Sequence, residues 1–141
     1  MKAMTERELY DIAEKARVNS YAPHSRFRVG AALLTSDGKV YTGVNVENSS
    51  YGATICAERT AFVKAISEGE RDFEAIAVSA GDEPAVPCGI CRQFMAEFGQ
   101  DIRIITMSKT GELSVNTLRE LLPEAFVLDV MEDNGNNGEE R

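Results

Sequence analysis

The sequence predicts an α/β protein built in three layers, a mixed sheet held between helices. Three observations carry that expectation. Helix, hairpin, helix, strand, helix and strand patterns follow one another along 141 residues. The runs Phe27–Leu34, Phe73–Ala80 and Ile102–Met107 are strongly apolar, as inner strands are. Strand and helix patterns alternate through the chain, the signature of sheet-and-helix layering.

Thr5–Ser20 has a helical stripe of Leu9, Ile12, Ala13, Ala16 and Val18, and Thr5 with Glu8 fits a capping box. Tyr21–Ser25 turns around Pro23. Phe27–Leu34 is the first strand, and Ser36-Asp37-Gly38 turns it into a second, Lys39–Asn45. Val46–Thr54 is a polar loop. It leads into a helix over Ile55–Glu68 that Gly69 stops. The strand Phe73–Ala80 and the loop Gly81–Pro87 precede a helix over Cys88–Phe98, which ends at Gly99. Ile102–Met107 and Glu112–Val115 complete five strand candidates, with Lys109-Thr110-Gly111 as the turn between them. Asn116–Leu122 reads as a last helix before Pro123. Residues 1–131 therefore form one expected domain, and 132–141, rich in Asn, Gly and Glu, an expected disordered tail.

Composition narrows the function. A net charge of −8 disfavours a polynucleotide partner, which needs clustered Lys and Arg. No apolar run approaches the roughly 20 residues that span a bilayer, so no membrane partner is expected. Met1–Tyr10 lacks the apolar core of a signal peptide. The 3 cysteines cannot all pair with one another, and without an export signal a metal or reactive-thiol use outranks a disulfide framework. The expected compartment is the cytoplasm.

All three cysteines fall in one pattern, Cys56-Ala57-Glu58 and then Pro87-Cys88-Gly89-Ile90-Cys91. Three thiolates can hold one Zn²⁺ per chain and leave its fourth tetrahedral position open, as catalytic zinc requires. The pattern places Cys56 in the first turn of one helix and Cys88 and Cys91 in the first turn of another. There the unpaired N–H groups favour thiolates. Such a site carries one more negative charge than the ion balances, so a cation is expected beside it. Arg59 and Arg92, each directly after a motif residue, are the candidates to donate to the sulfurs. Glu58 is the expected catalytic acid–base. A zinc-bound hydroxide would attack C4 of a pyrimidine, and one carboxylate would take the water's proton, deliver it to N3 and later protonate the leaving amine. The alternatives are a structural zinc completed by His24, three unrelated buried cysteines, a Glu58 that only charges a helix N-terminus, and solvated Arg59 and Arg92.

The stretches Tyr21-Ala22-Pro23-His24-Ser25-Arg26-Phe27, Val44-Asn45-Val46-Glu47-Asn48, Tyr51–Ala61, Pro87–Gln93 and Glu120–Phe126 resemble the small homotetrameric, zinc-dependent cytidine deaminases. The likeness spans about Tyr21 to Phe126. It implies the cytidine-deaminase-like three-layer fold with a five-stranded mixed sheet. The implied reaction is hydrolytic deamination of cytidine and deoxycytidine to uridine and deoxyuridine in pyrimidine salvage. In such an enzyme Asn45 and Glu47 would hydrogen-bond the ribose hydroxyls, Phe27 would line the pocket against the base, and the Ala57 N–H would address the base carbonyl. Tyr51 and Phe126 would reach into a neighbouring subunit's pocket, so that sites are shared across a homotetramer. Read alone, Glu47 is a solvated loop charge and Phe27 a core strand residue. One departure stands out. Val127-Leu128-Asp129 follows Phe126 where many family members carry Gly and Pro. Blasticidin-S deaminases resemble the chain there, although Glu47 and Arg59 fit the cytidine branch. Deamination of another aminopyrimidine nucleoside such as blasticidin S, and a non-catalytic zinc-stabilised binding module, are the competing functions.

Overall fold

In the computed structural model, residues 3–129 are described. The first helix, α1 (Glu6–Ala16), opens on the expected capping box. The Glu8 N–H donates to Thr5 Oγ1 at 3.0 Å, and the Thr5 N–H donates to Glu8 Oε1 at 2.8 Å. A 3₁₀ turn, Arg17–Asn19, completes it. Next come β1 (Gly30–Thr35), β2 (Val40–Val44), α2 (Ala57–Ser67), β3 (Phe73–Ser79), α3 (Gly89–Ala96), β4 (Arg103–Met107), β5 (Leu113–Thr117) and α4 (Leu118–Leu121). The sheet has 5 strands in the order β2-β1-β3-β4-β5. Only the β3–β4 pair is parallel, with α3 as its crossover, so the sheet is mixed as expected.

Alternation along the strands separates two cores. On one face Ala32, Leu34, Ala75, Ala77 and Ile105 meet Leu9, Tyr10 and Ala13 of α1. On the other, Ala31, Leu33, Ile76, Val78 and Ile104 meet α2, α3 and α4. That second face carries the site. Phe62 of α2 lies with its ring centroid 6.2 Å from Phe94 of α3 and 5.7 Å from Phe98 beyond it. The aromatic cluster clamps the two helices together and brings their N-termini side by side. Gly43 sets how closely α2 sits on β2, because a Cβ there would overlap the Ala57 carbonyl and the Ala61 backbone.

Four boundaries differ from expectation. Phe27–Val29 lies outside the ladder because the Asn45 side chain takes its backbone groups: Nδ2 donates to Phe27 O at 2.7 Å, and the Val29 N–H donates to Oδ1 at 3.0 Å. Asn116 and Thr117 belong to β5, where they pair with Ile104 and Arg103. Thr117 then caps α4 in a second capping box with Glu120. Cys56 and Cys88 are N-cap residues rather than first-turn residues, and Cys91 alone lies within a first turn. The tail expected over 132–141 lies outside the described residues. Among the described residues, no helix is long and apolar enough to cross a membrane.

Candidate active site

The two helix starts converge on three sulfurs. The Sγ atoms of Cys56, Cys88 and Cys91 all lie within 4.8 Å of one another, and Cys56 and Cys88 are 3.9 Å apart. A thiol donor set at this spacing suits Zn²⁺, which takes thiolates at about 2.3 Å in a tetrahedron. His24 stands outside the cluster, so a structural site completed by that residue does not form among the described residues.

Charge is compensated from one side. Arg59 donates from Nη2 to Cys56 Sγ at 3.6 Å and to the Thr54 carbonyl at 3.3 Å. The Cys56 thiol is held well below its ordinary range, by hydrogen bonding from Cys91 first and by the Arg59 guanidinium as well. Cys91 moves the other way, raised by its bond to Cys56 and by burial, so of these two Cys56 is the one that becomes a thiolate first. Arg92 departs from expectation. Its Nε donates to Pro87 O at 2.8 Å and its Nη1 to Leu121 O at 2.9 Å, so it fixes the approach to Cys88 instead of donating to sulfur. The cause is geometric: one turn beyond Cys88, its planar fork meets the Pro87 and Leu121 carbonyls.

Glu58 lies beside the thiols in the first turn of α2, 5% exposed. Burial pushes its carboxyl up to about 7, against the opposing effect of its own backbone N–H. It borders a cavity of about 340 Å³ together with Cys56, Cys88, Ala57 and Asn45. The apolar walls are Phe27 and Val29 on one side and Pro84, Ala85 and Val86 on the other. A second cavity, of about 380 Å³, lies next to it, with Thr54 lining both. Glu47 lines this second space with His24 and Tyr51. Its Oε1 accepts the N–H groups of His24 (2.9 Å) and Ser25 (3.1 Å), and its Oε2 accepts the Ser25 hydroxyl. Those bonds, the Ser25 hydroxyl first, hold the carboxyl below its usual range.

Ala57, Asn45, Phe27 and Glu58 thus meet at one cavity, and Glu47 and Tyr51 at its neighbour. Phe126 borders neither cavity: its carbonyl accepts from Gln93 Nε2 at 2.7 Å, and its residue surface is 69% exposed. Sequence reasoning missed the apolar wall at Pro84–Val86 and the backbone cradle that Ser25 gives Glu47. The two prolines of the Gly81–Pro87 loop were the available signal for the wall.

Residues 4–108 match the family model described as "Cytidine and deoxycytidylate deaminase zinc-binding region". The chain belongs to this family. Over 123 residues it is 52% identical to the cytidine deaminase of Halalkalibacterium halodurans, covering 86% of this chain and 93% of that one. Its fold superposes on the crystal structure of cytidine deaminase from Burkholderia pseudomallei with a TM-score of 0.81 and 47% identity, covering 87% of this chain and 100% of that one. The blasticidin-S deaminase of Bacillus cereus is more distant, at 28% identity over 125 residues, with 82% and 88% covered.

Proposed function

We propose that the chain is a cytidine and deoxycytidine deaminase acting in pyrimidine salvage in the cytoplasm. It works as a homotetramer with one zinc per chain and with sites shared between subunits. The observation that carries this reading is a buried carboxyl, Glu58, beside three convergent thiols at the wall of a nucleoside-sized cavity. Family membership and the 52% identity to a cytidine deaminase support the substrate class.

Cys56, Cys88 and Cys91 hold the zinc, which when bound lowers the pKa of a water and makes it a nucleophile at neutral pH. Arg59 withdraws charge from the sulfur of Cys56. Glu58 takes the proton of the attacking water and delivers it to ring N3. It then takes the second proton from the hydroxyl added at C4 and passes it to the amine, which leaves as ammonia while the C4 carbonyl forms. Burial suits it to that work, since a carboxyl poised near neutrality both accepts and gives up a proton. Phe27, with the Pro84–Val86 wall, sandwiches the flat base and excludes water. The Ala57 N–H, in the first turn of α2, donates to the base carbonyl. Asn45 already accepts from Ser20 Oγ (2.5 Å) and from Val29, and its remaining Nδ2 hydrogen is offered to the ribose. Glu47, held ionised, accepts from the ribose hydroxyls. Tyr51, 82% exposed, and Phe126 close the pocket of an adjacent subunit. The decisive assay is loss of cytidine absorbance with purified zinc-loaded protein. Turnover supports the reading, and a zinc-loaded protein inert towards cytidine and deoxycytidine overturns it.

A further inference from the structure

Ser79, at the end of β3, is fully buried at 0% exposure and polar. Its hydroxyl donates to Glu14 Oε1 and accepts the Gly81 N–H at 3.2 Å. The other oxygen of Glu14 takes Arg17 Nη1 at 2.8 Å, and Arg17 Nε donates to the Arg28 carbonyl at 3.0 Å. An unbroken polar line therefore runs from Arg28 to Gly81 through the end of α1. Two glycines make room for it. A Cβ on Gly81, whose φ is +75°, would lie 2.8 Å from the Arg17 guanidinium, and one on Gly30 would lie 2.9 Å from the Arg17 backbone nitrogen.

The two ends of this line are the roots of the cavity walls. Arg28 sits between Phe27 and Val29, and Gly81 begins the loop that carries Pro84, Ala85 and Val86. We propose that Arg17, Glu14 and Ser79 form a positioning strut that sets the distance between the two walls of the nucleoside cavity. The inference rests on the reading that the cavity beside Glu58 receives the nucleoside. The zinc side is anchored separately, by the α2–α3 aromatic clamp and by Arg92 on Pro87 O. Cutting the strut therefore loosens the grip on the base and leaves the thiol cluster intact. Among the described residues the buried Ser79 hydroxyl has only Glu14 and the Gly81 N–H to bond, and the bond to a charged carboxylate is stronger than one between neutral groups.

The test is steady-state kinetics on cytidine for the zinc-loaded full chain and its Ser79→Ala, Arg17→Lys and double variants, with zinc content and thermal melts in parallel. Lysine keeps the charge but lacks the planar fork that serves Glu14 and Arg28 at once. Each single variant is expected to raise KM about three- to tenfold, with kcat within about twofold and zinc retained. The double variant should be no worse than the worse single, since a line already cut is not cut again. An unchanged KM with a lowered melt overturns the strut and leaves only a docking role for α1. Effects that multiply in the double variant overturn it too, and so does a KM rise that tracks zinc loss. Should Ser79→Ala fail to fold, the KM of Arg17→Lys, a half-buried position, decides. A zinc-loaded wild type that turns over no cytidine overturns the functional reading and the strut with it, whereas normal turnover with unaltered variants overturns the strut alone.

Discussion

The metal floor and the nucleoside rim are built by different rules. At the floor, Cys91 is 0% and Glu58 5% exposed, and two helices, an aromatic clamp and two arginines hold every group from within one chain. At the rim, Phe27 is 46% and Tyr51 82% exposed, and Phe126, which borders neither cavity, is 69% exposed. Large aromatics left this exposed are the kind of surface that marks an interface. The contrast teaches that the groups of the reaction's chemistry are held within the chain, while the aromatics assigned to substrate binding are left open; under the proposed shared site, a neighbouring subunit closes them. A pocket shared as proposed would also exclude water, which strengthens the electrostatics of zinc and Glu58.

The floor breaks most completely at a ligand. Cys88→Ala is expected to lose zinc by metal analysis and to lose activity with it, and a zinc-replete active variant would reject the ligand set. Next in size is Glu58→Gln, which should keep zinc yet fall by more than about 10³-fold in kcat, because one residue serves several proton transfers. A tenth of wild-type rate would contradict the role. At the rim, Glu47→Ala should cost roughly 10- to 100-fold in kcat/KM, with metal and melting temperature unchanged, as expected for a lost hydrogen bond to a charged group.

A smaller effect sharpens the picture of the floor. The Glu58 carboxyl is raised from 4.5 to about 7 in the folded chain. It is protonated in both states below its unfolded value and costs nothing there. Between pH 4.5 and about 7 the unfolded chain gives up this proton while the folded chain keeps it, so stability falls as pH rises through that window and levels off above it. In metal-free protein, Glu58→Gln should therefore stabilise relative to wild type by roughly 3 kcal/mol more at pH 8 than at pH 4.5, read by denaturant unfolding. A pH-independent difference would show that burial does not perturb Glu58.

Much of the floor was legible because its signals are local. Three cysteines with no disulfide partner set, a carboxylate two residues on and helix starts at both motifs leave few chemistries open. The fold was legible through strand runs and the capping box at Thr5. Boundaries slipped where a side chain did the work of backbone, as Asn45 does for Phe27 and Val29. Arg92 was misread for a related reason: adjacency in sequence to Cys91 says nothing of which way a guanidinium points. Tertiary reach also hid the Pro84–Val86 wall and the line from Glu14 to Ser79, which join residues 65 apart in sequence.

The most direct measurement mixes two variants across the boundary between floor and rim. Glu58→Gln and Phe126→Ala chains are each purified with zinc, found impaired, and then reassorted by mild dissociation and dilution. If the rim of each pocket comes from a neighbour, random mixing unites an intact Glu58 with an intact Phe126 in up to about a quarter of sites, and activity should recover to that share of wild type. Activity that stays at the mean of the two parents, or a fully active monomer in light scattering, would contradict a shared site.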